Sequence, residues 1–418
     1  MRQDFVRNLR QRQQGQTMLL FVLFMVVLFV FAGLGIDLGF AYVTKARLSK
    51  AVDSACLAAV RNISAGTVSA GAIATNAFFA NYGVSGRDVA PPVPTITFTT
   101  DSINNTIAVE VSATVTINTF FIRVLPTLVP NGPSWKTLTV GSDALATRNS
   151  LIMTLVLDVS GSMGSPPPNG SGGGQYLPTA VETFIGNFSD TIDKAAMVKF
   201  HEIQENVVFT GVFPSTAQPT QPFRAAISNA VAAFTWSDAT FSQGGLTNAL
   251  VMENNAPPAT TNVFKVVVFF TDGLANVVQD TLSCPPAKLV NFGGYDSGTG
   301  YNLYDPVTGA QISCGASQFY SQSAGGMVAL NRADISADAT YRAIQVANDM
   351  RANKITVFSI GVGSGINMPF LQSVANDTNA VGYVATGYDG EALVANNPAD
   401  LASVFQAVAS KILLRLSR

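Results

Sequence analysis

The chain has 418 residues, and its 24 Lys and Arg against 26 Asp and Glu give a formal net charge of −2 at pH 7. Hydrophobic residues make up 48 % and charged residues only 12 %, which excludes a disordered chain, since disorder needs low hydrophobicity and high net charge. The charge balance argues against nucleic acid as a partner. The single histidine, His201, argues against a Ser-His-Asp triad and a His-rich zinc site.

The first predicted element is a transmembrane helix at residues 17–36, a run of 20 residues without a charge. At about 1.5 Å per residue such a helix spans roughly 30 Å, the thickness of a bilayer's hydrocarbon core. The run is longer than the roughly 7–15 apolar residues of a signal peptide, so we favour a stable anchor over a cleaved signal or a buried soluble helix. Four arginines and one aspartate precede it, which predicts a cytoplasmic tail at residues 1–16 and an outward-facing remainder.

A helical stalk is predicted at residues 37–90. Apolar residues recur every three or four positions from Asp37 to about Asn62, a period typical of an amphipathic helix. A second short helix is expected before the prolines that begin at Pro91. The first helix is either a plain juxtamembrane stalk or a packing face for another membrane subunit.

Gly33, Asp37, Gly39 and Tyr42 form a G-x-x-x-D-x-G-x-x-Y pattern, and residues 51–60 form a helix of small residues. In both features the chain resembles the N-terminal segment of TadG-like proteins of the tight-adherence (Flp pilus) secretion system. The single apolar anchor favours a single-pass protein of the cytoplasmic membrane, and the resemblance places it in a pilus-assembly system. Other Tad/Flp pilus-assembly subunits are then expected as partners.

Residues 91–148 are predicted to form a small β-rich spacer. They contain runs of β-branched residues with stretches of alternation, such as TIAVEVSATVTIN, which favours an antiparallel sheet. No catalytic constellation is evident there, so a spacer or docking role is expected.

Residues 149–418 predict an α/β fold with a doubly wound, mostly parallel sheet. Apolar strands such as LIMTLVLD and VFKVVVFFTD alternate with helical patterns. Continuous Val, Ile and Phe runs are typical of parallel strands covered on both faces. Ligands of such sheets bind outside the carboxyl ends of the strands.

Oxygen-bearing side chains follow these strands. Asp158, Ser160 and Ser162 form a D-x-S-x-S turn after one strand, Asp272 follows another, and Thr247 lies in a G-G-x-T-N segment between them. Hard divalent cations prefer such oxygen ligands. The turn alone would equally suit a helix cap, but its combination with Asp272 favours a metal site.

The segment resembles von Willebrand factor type A (VWFA) domains, whose metal-ion-dependent adhesion site (MIDAS) has this pattern. The resemblance implies that Asp158, Ser160, Ser162, Thr247 and Asp272 hold a divalent cation, with Mg²⁺ preferred and Mn²⁺ or Ca²⁺ as alternatives. It also implies that an acidic residue of a protein ligand completes the coordination. Such a site binds without turnover, so the chain is predicted not to be an enzyme.

An insertion at residues 274–334 is rich in Gly, Ser, Tyr and Asn and contains Cys284 and Cys314. An oxidising compartment favours a disulfide between these cysteines over two free thiols. The insertion begins at the same edge of the sheet as Asp272. We therefore expect it to form a surface beside the metal that recognises a specific partner. Cys56 is expected to be buried in a small-residue helix.

Together these features predict a membrane-anchored, metal-dependent adhesion protein of a TadG-like Flp pilus assembly system, with its bulk in the periplasm or outside the cell. The alternatives are a stand-alone surface adhesin and a periplasmic scaffold with a VWFA domain. A phosphoryl-transfer enzyme using Asp158 and Asp272 is disfavoured, because Ser160 stands where aspartyl-phosphate enzymes carry an acid.

Overall fold

The computed structural model describes most of the chain, with side chains from residue 17 onward except that of residue 124. The described residues are 2–101, 106–124, 135–166, 169–237, 239–256, 263–284, 286–294, 300–385 and 387–416. The chain divides into two compact units, Met1–Thr99 with Ala108–Thr147, and Thr100–Ile107 with Arg148–Arg418.

The first unit is built from two helices and from strands that follow them. The elements in chain order are α1 (Arg2–Arg61), a 3-10 turn (Ile63–Ala65), α2 (Thr67–Asn81), β1 (Thr95–Asp101), β2 (Thr106–Asn118), a second 3-10 turn (Ile122–Val124) and β3 (Thr137–Asp158), which continues into the second unit.

The core of the first unit joins the predicted stalk to the predicted β-rich spacer. Alternate residues of β2 are buried, as expected of a strand with one covered face. Val109 and Val111 of β2 belong to one apolar cluster with Val52 of α1 and Phe78 of α2. Cys56 is buried in the same cluster, and its thiol donates to the carbonyl of Val109 at 3.1 Å.

Helix α1 is the one helix in the described part of the chain that could cross a membrane by its length and composition. Its apolar side chains from Met18 to Phe31 are largely exposed, with Phe29 at 67 %. A contiguous apolar surface of this size is unusual on a soluble protein, and it is the surface that a membrane-anchored segment presents to lipid.

The second unit contains the remaining elements. In chain order they are α3 (Gly161–Gly164), a 3-10 turn (Gly173–Gln175), α4 (Leu177–Ile185), β4 (Lys194–Phe200), β5 (Gln204–Val208), α5 (Arg224–Ala232), α6 (Ser242–Asn255), β6 (Val263–Thr271), β7 (Val277–Leu282), β8 (Lys288–Gly294), β9 (Tyr301–Tyr304), β10 (Gln311–Ile312), β11 (Gln318–Ser321), β12 (Gly326–Ala329), α7 (Arg332–Ala352), β13 (Ile355–Val362), α8 (Met368–Ala375), β14 (Ala392–Ala395), a 3-10 turn (Pro398–Asp400) and α9 (Leu401–Leu416).

The sheet of the second unit has the strand order β5-β4-β3-β6-β13-β14. Every neighbouring pair is parallel except β4 and β5, which are antiparallel. This confirms the predicted doubly wound, mostly parallel sheet. The chain winds outward from β3 in one direction and then from β6 in the other, so the topological switch point lies between β3 and β6.

Helices cover both faces of this sheet. The side chains of β6 alternate between two cores, with Val268 and Phe270 in one and Val267 and Phe269 in the other. Helices α4, α5 and α9 contribute to the first core, and α6, α7 and α8 to the second. Burial on both faces explains why the strand sequences are continuously apolar.

The insertion at residues 274–334 is a folded β-structure. Strands β7 to β10 form an antiparallel sheet, and β11 pairs with β12. Phe292 and Phe319 pack with ring centroids 4.9 Å apart, and a disulfide joins Cys284 to Cys314 across 30 residues. Closing a loop of this length contributes about 3–4 kcal/mol in the chain-entropy model.

A buried ion pair lies where β3 enters the second unit. Arg148 donates to the carboxylate of Asp193 at 2.8 Å, and the two side chains are 2 % and 0 % exposed. The backbone N–H groups of Leu151 and Ser189 also donate to Asp193, at 2.9 and 2.7 Å. One carboxylate thereby fixes the start of this part of β3 to the loop before β4.

Candidate metal centre

Two carboxylates stand at the switch point of the sheet. Asp158 ends β3, and Asp272 directly follows β6, its parallel neighbour. Because parallel strands share one carboxyl edge, the two side chains are brought to the same place by the fold itself. Asp158 is fully buried, so its charge has no access to bulk water.

Hydroxyl groups connect the two carboxylates. Ser162 Oγ donates to Asp272 Oδ1 at 2.6 Å, and the hydroxyl oxygens of Ser160 and Ser162 are 3.1 Å apart. The Ser160 N–H and the Thr271 hydroxyl donate to the two oxygens of Asp158. The structure therefore brings together four of the five predicted ligands.

The electrostatics of this cluster favour a bound cation. Burial and, as the second cause, the negative charge of the nearby Asp272 carboxylate together raise the pKa of Asp158 to about 7. Burial also raises the pKa of Asp272. None of the ion pairs formed within the described residues involves either carboxylate. A divalent cation would supply the positive charge that these two groups need to ionise.

The donor set fits a hard cation. Across the described ranges there is no cluster of three or more His, Cys, Asp or Glu side chains suited to a metal. An ion at this edge would therefore depend on two carboxylates plus hydroxyl oxygens and water. Such an all-oxygen set suits Mg²⁺ better than a softer transition metal.

The predicted ligand Thr247 is not placed in this cluster. It is exposed on α6, and its hydroxyl donates to the carbonyl of Gln243 in its own helix at 2.8 Å. Thr240, just before α6, is buried and lines a cavity of about 500 Å³ together with Ser162 and Gly273. Of these two threonines, Thr240 is therefore the one that borders the same cavity as Ser162.

The reason for the difference lies in the Gly-Gly pair. The interpretation chose Thr247 because of the G-G-x-T-N segment that contains it, but Gly244 and Gly245 of that segment both lie inside α6. A Cβ on Gly244 would lie 2.3 Å from the ring of Phe241, and one on Gly245 would lie 2.8 Å from the ring of Phe200. The glycines permit close packing of the helix, so the loop and its threonine lie earlier in the sequence.

Ser171 is a site residue that the sequence interpretation missed. It comes from the Gly-rich segment after α3, and its hydroxyl donates to Asp272 Oδ2 at 2.6 Å. Gly174 in the same segment packs against Trp236, where a Cβ would lie 2.4 Å from the indole. The segment folds back onto the site, a tertiary contact for which the local sequence contains no pattern.

The two ends of the insertion border the site. Leu274 and Asn276 at its start and Arg332 just beyond β12 line the same cavity as Ser162 and Thr240. Asn276 Oδ1 accepts from the Thr240 N–H at 2.8 Å, which fixes the loop before α6. The insertion therefore begins and ends beside the cavity that Ser162 and Thr240 line.

Mg²⁺ affinity should rise with pH. Because the pKa of Asp158 is raised to about 7, a cation must displace a proton below that pH. We expect the association constant to increase up to about tenfold per pH unit below about pH 7 and to level off above it. Isothermal titration of Mg²⁺ at several pH values from about 6 to about 8 measures the association constant. An association constant that does not change with pH would contradict the protonated state of Asp158.

The mostly parallel sheet covered by helices on both faces is consistent with a VWFA-like fold, and it follows an apolar N-terminal helix in the chain. The N-terminal segment of the chain is TadE/G-like: residues 15–62 match the family model Tad, described as Flp pilus-assembly TadE/G-like. This confirms the resemblance seen in the sequence. A comparison with curated protein sequences finds no match.

Several solved structures are similar to this chain at low sequence identity. The VWFA domain of the type V pili tip protein Mfa5 from Porphyromonas gingivalis is 15 % identical, with a TM-score of 0.41, over 65 % of this chain and 97 % of that one. A variant of the PilB minor pilin from Streptococcus sanguinis is 13 % identical, with a TM-score of 0.42, over 80 % and 81 %. Proximal thread matrix protein 1 from the mussel byssus, with a zinc-occupied MIDAS motif, is 15 % identical, with a TM-score of 0.36, over 64 % and 46 %. The chain thus spans about half the length of the mussel protein.

Proposed function

We propose that the protein is a membrane-anchored, metal-dependent protein-binding protein of a TadG-like Flp pilus assembly system. Asp158, Ser160, Ser162, Thr240 and Asp272 hold a divalent cation, with Mg²⁺ preferred, and an acidic side chain of a protein ligand completes the coordination. The observation that carries this proposal is the convergence of the buried Asp158 carboxylate and the partly buried Asp272 carboxylate at the switch point, without a basic ion-pair partner among the described residues.

Two further observations support the cellular setting. The TadE/G-like segment at residues 15–62 supports partners among other Tad/Flp pilus-assembly subunits and an anchor in the cytoplasmic membrane. The basic residues before the apolar run support a cytoplasmic tail at residues 1–16. The disulfide between Cys284 and Cys314 supports a periplasmic or extracellular location for the second unit, because disulfides persist in oxidising compartments.

The site serves binding rather than turnover in this proposal. His201, the single histidine, has both ring nitrogens within 2.9 Å of a carboxylate oxygen, one from Glu202 and one from Glu205. With both nitrogens engaged, the imidazole is not available as a general base. The cation would act by neutralising an incoming Asp or Glu, so that recognition depends on the metal.

Titration of Mg²⁺ into the full-length protein in detergent tests the ligand set. Wild type should bind one ion, and Thr240→Ala should lower the affinity roughly tenfold to a hundredfold, the loss expected for an interaction with a charged group. The matched control Thr247→Ala should bind like wild type, because that hydroxyl faces its own helix. Absence of Mg²⁺ binding in wild type, or an equal loss in both variants, would remove the assignment.

A further inference from the structure

Asp37 of α1 is a buried carboxylate at the end of the apolar run. It is 2 % exposed, and it accepts hydrogen bonds from three successive backbone N–H groups, those of Phe120 at 2.8 Å, Phe121 at 2.7 Å and Ile122 at 2.8 Å. Three such bonds compensate a buried charge. One side chain of α1 therefore holds a segment that lies more than 80 residues further along the chain.

Gly33, one turn earlier, lets the same segment approach the helix. A Cβ on Gly33 would lie 2.5 Å from the Cβ of Phe121, so a larger residue there would displace the segment. The G-x-x-x-D part of the sequence pattern thus forms one docking surface on α1. Because four helical residues rise only about 6 Å, the segment is fixed within about one turn of Ile36, where the apolar run ends.

The docked segment exposes aromatic side chains. Phe120 is 54 % and Phe121 is 42 % exposed, and their rings pack 5.1 Å apart. A third aromatic residue, Trp135, is connected to this segment through its backbone, because the Thr119 hydroxyl donates to the carbonyl of Trp135 at 2.5 Å. The Trp135 side chain is 46 % exposed. We call Phe120, Phe121 and Trp135 the aromatic cluster.

Basic side chains accompany the aromatic cluster. The guanidinium group of the exposed Arg123 lies 5.7 Å from the ring centroid of Phe120, and Lys136 is exposed next to Trp135. Arg87 lies at the same distance from that ring, but it is half-buried and its guanidinium is 3.9 Å from a carboxylate oxygen of Asp37. Arg123 and Lys136 are therefore the cations that face solvent. Aromatic rings with adjacent Lys and Arg are typical of the boundary between hydrocarbon and headgroups, where the rings lie among the acyl ester groups and the cations reach the phosphates.

We propose that the aromatic cluster is a second membrane contact, inserted into the headgroup region of the bilayer that α1 crosses. The occupant is lipid, because Gly33 and Asp37 hold the cluster within about one turn of Ile36, which ends the apolar run and is 51 % exposed, and because the adjacent cations complement phosphate. The inference rests on the membrane anchor of the proposed function. Two contact points, one on the helix and one beside it, restrict rotation of α1 about its own axis.

The test places nitroxide labels on the full-length protein in nanodiscs of phosphatidylethanolamine and phosphatidylglycerol. Labels at Phe121→Cys and Phe120→Cys report on the cluster, Phe29→Cys reports on the apolar run, and Phe79→Cys on α2, with 45 % exposure of the native side chain, is the matched control. The native thiol of Cys56 is buried, and unmutated protein carried through the labelling gives its background.

The ratio of oxygen to nickel-chelate accessibility measures depth in the bilayer. We expect the ratio at the cluster positions to lie between the high value at position 29 and the low value at position 79. Asp37→Ala should lower it at position 121 while leaving it unchanged at position 29. Cluster ratios equal to that at position 79 would overturn the proposal. A low ratio at position 29 would instead remove the membrane anchor itself, and the cluster proposal with it.

Discussion

Asp158→Asn is expected to abolish Mg²⁺ binding and to stabilise the metal-free protein at pH 8 at the same time. The substitution removes the buried carboxylate of the D-x-S-x-S turn, so the loss of affinity should exceed the roughly 10–100-fold that outer-shell changes cost. The amide oxygen can still accept from the Ser160 N–H, as the carboxylate does. The fold should therefore be retained.

The stabilisation follows from the direction of the pKa shift. The pKa of Asp158 is about 7 in the folded protein and about 3.9 in an unfolded chain, so the folded state binds more protons between these values. The free energy of unfolding of the metal-free wild type therefore falls as the pH rises from about 4 to about 7. Asparagine does not ionise, so this loss is absent in the variant.

Thermal unfolding with EDTA and with Mg²⁺, at about pH 6 and about pH 8, measures both effects. Wild type should gain stability from Mg²⁺, more at the higher pH, and Asp158→Asn should gain none. The exposed Asp400 provides the control, since Asp400→Asn should respond to Mg²⁺ like wild type. If Mg²⁺ stabilised Asp158→Asn as much as it stabilises the wild type, the proposed role of Asp158 would be wrong.

Asp193→Ala should lower the free energy of unfolding by about 3–5 kcal/mol, the cost of leaving one partner of a buried ion pair alone. In the wild type, the buried guanidinium of Arg148 and two backbone N–H groups donate to the Asp193 carboxylate. The variant leaves all of these donors without that acceptor. Mg²⁺ affinity of the protein that remains folded should be unchanged, since the pair does not belong to the metal-site cluster.

Urea unfolding of the full-length protein measures this loss. The exposed Asp349 of α7 is the matched control, and Asp349→Ala should stay within about 0.5 kcal/mol of wild type. The double variant Arg148→Met, Asp193→Leu should recover much of the loss, because apolar side chains of similar volume can replace a buried pair. A loss below about 1 kcal/mol in Asp193→Ala would show that the pair is not a strong constraint.

The fold class of the second unit and four predicted ligands follow from short sequence segments. Each of the two apolar runs, one before Asp158 and one before Asp272, is long enough to identify a buried strand. Because parallel strands end at the same edge of a sheet, the two carboxylates are expected to lie close together. The D-x-S-x-S turn is local as well. These features are encoded within a few residues, so a single sequence suffices to predict them.

The residues that were missed depend on contacts between distant segments. Thr240 could not be distinguished from Thr247 without knowing that Gly244 and Gly245 pack against Phe241 and Phe200. Ser171 reaches Asp272 from a segment about 100 residues away. Asp37 was recognised only as part of a pattern, because its partners at residues 120–122 lie more than 80 residues later.

Strand β3 has a mechanical consequence. It is a single strand of 22 residues, Thr137–Asp158, that follows the anchor-bearing part of the chain and ends at the candidate metal site. Within the second unit it runs parallel to β4 on one side and β6 on the other. A pull on the Asp158 end of β3 along the strand axis loads these two ladders in shear, so their hydrogen bonds resist together instead of opening one at a time. A site at the end of a central strand is therefore well placed to hold a load.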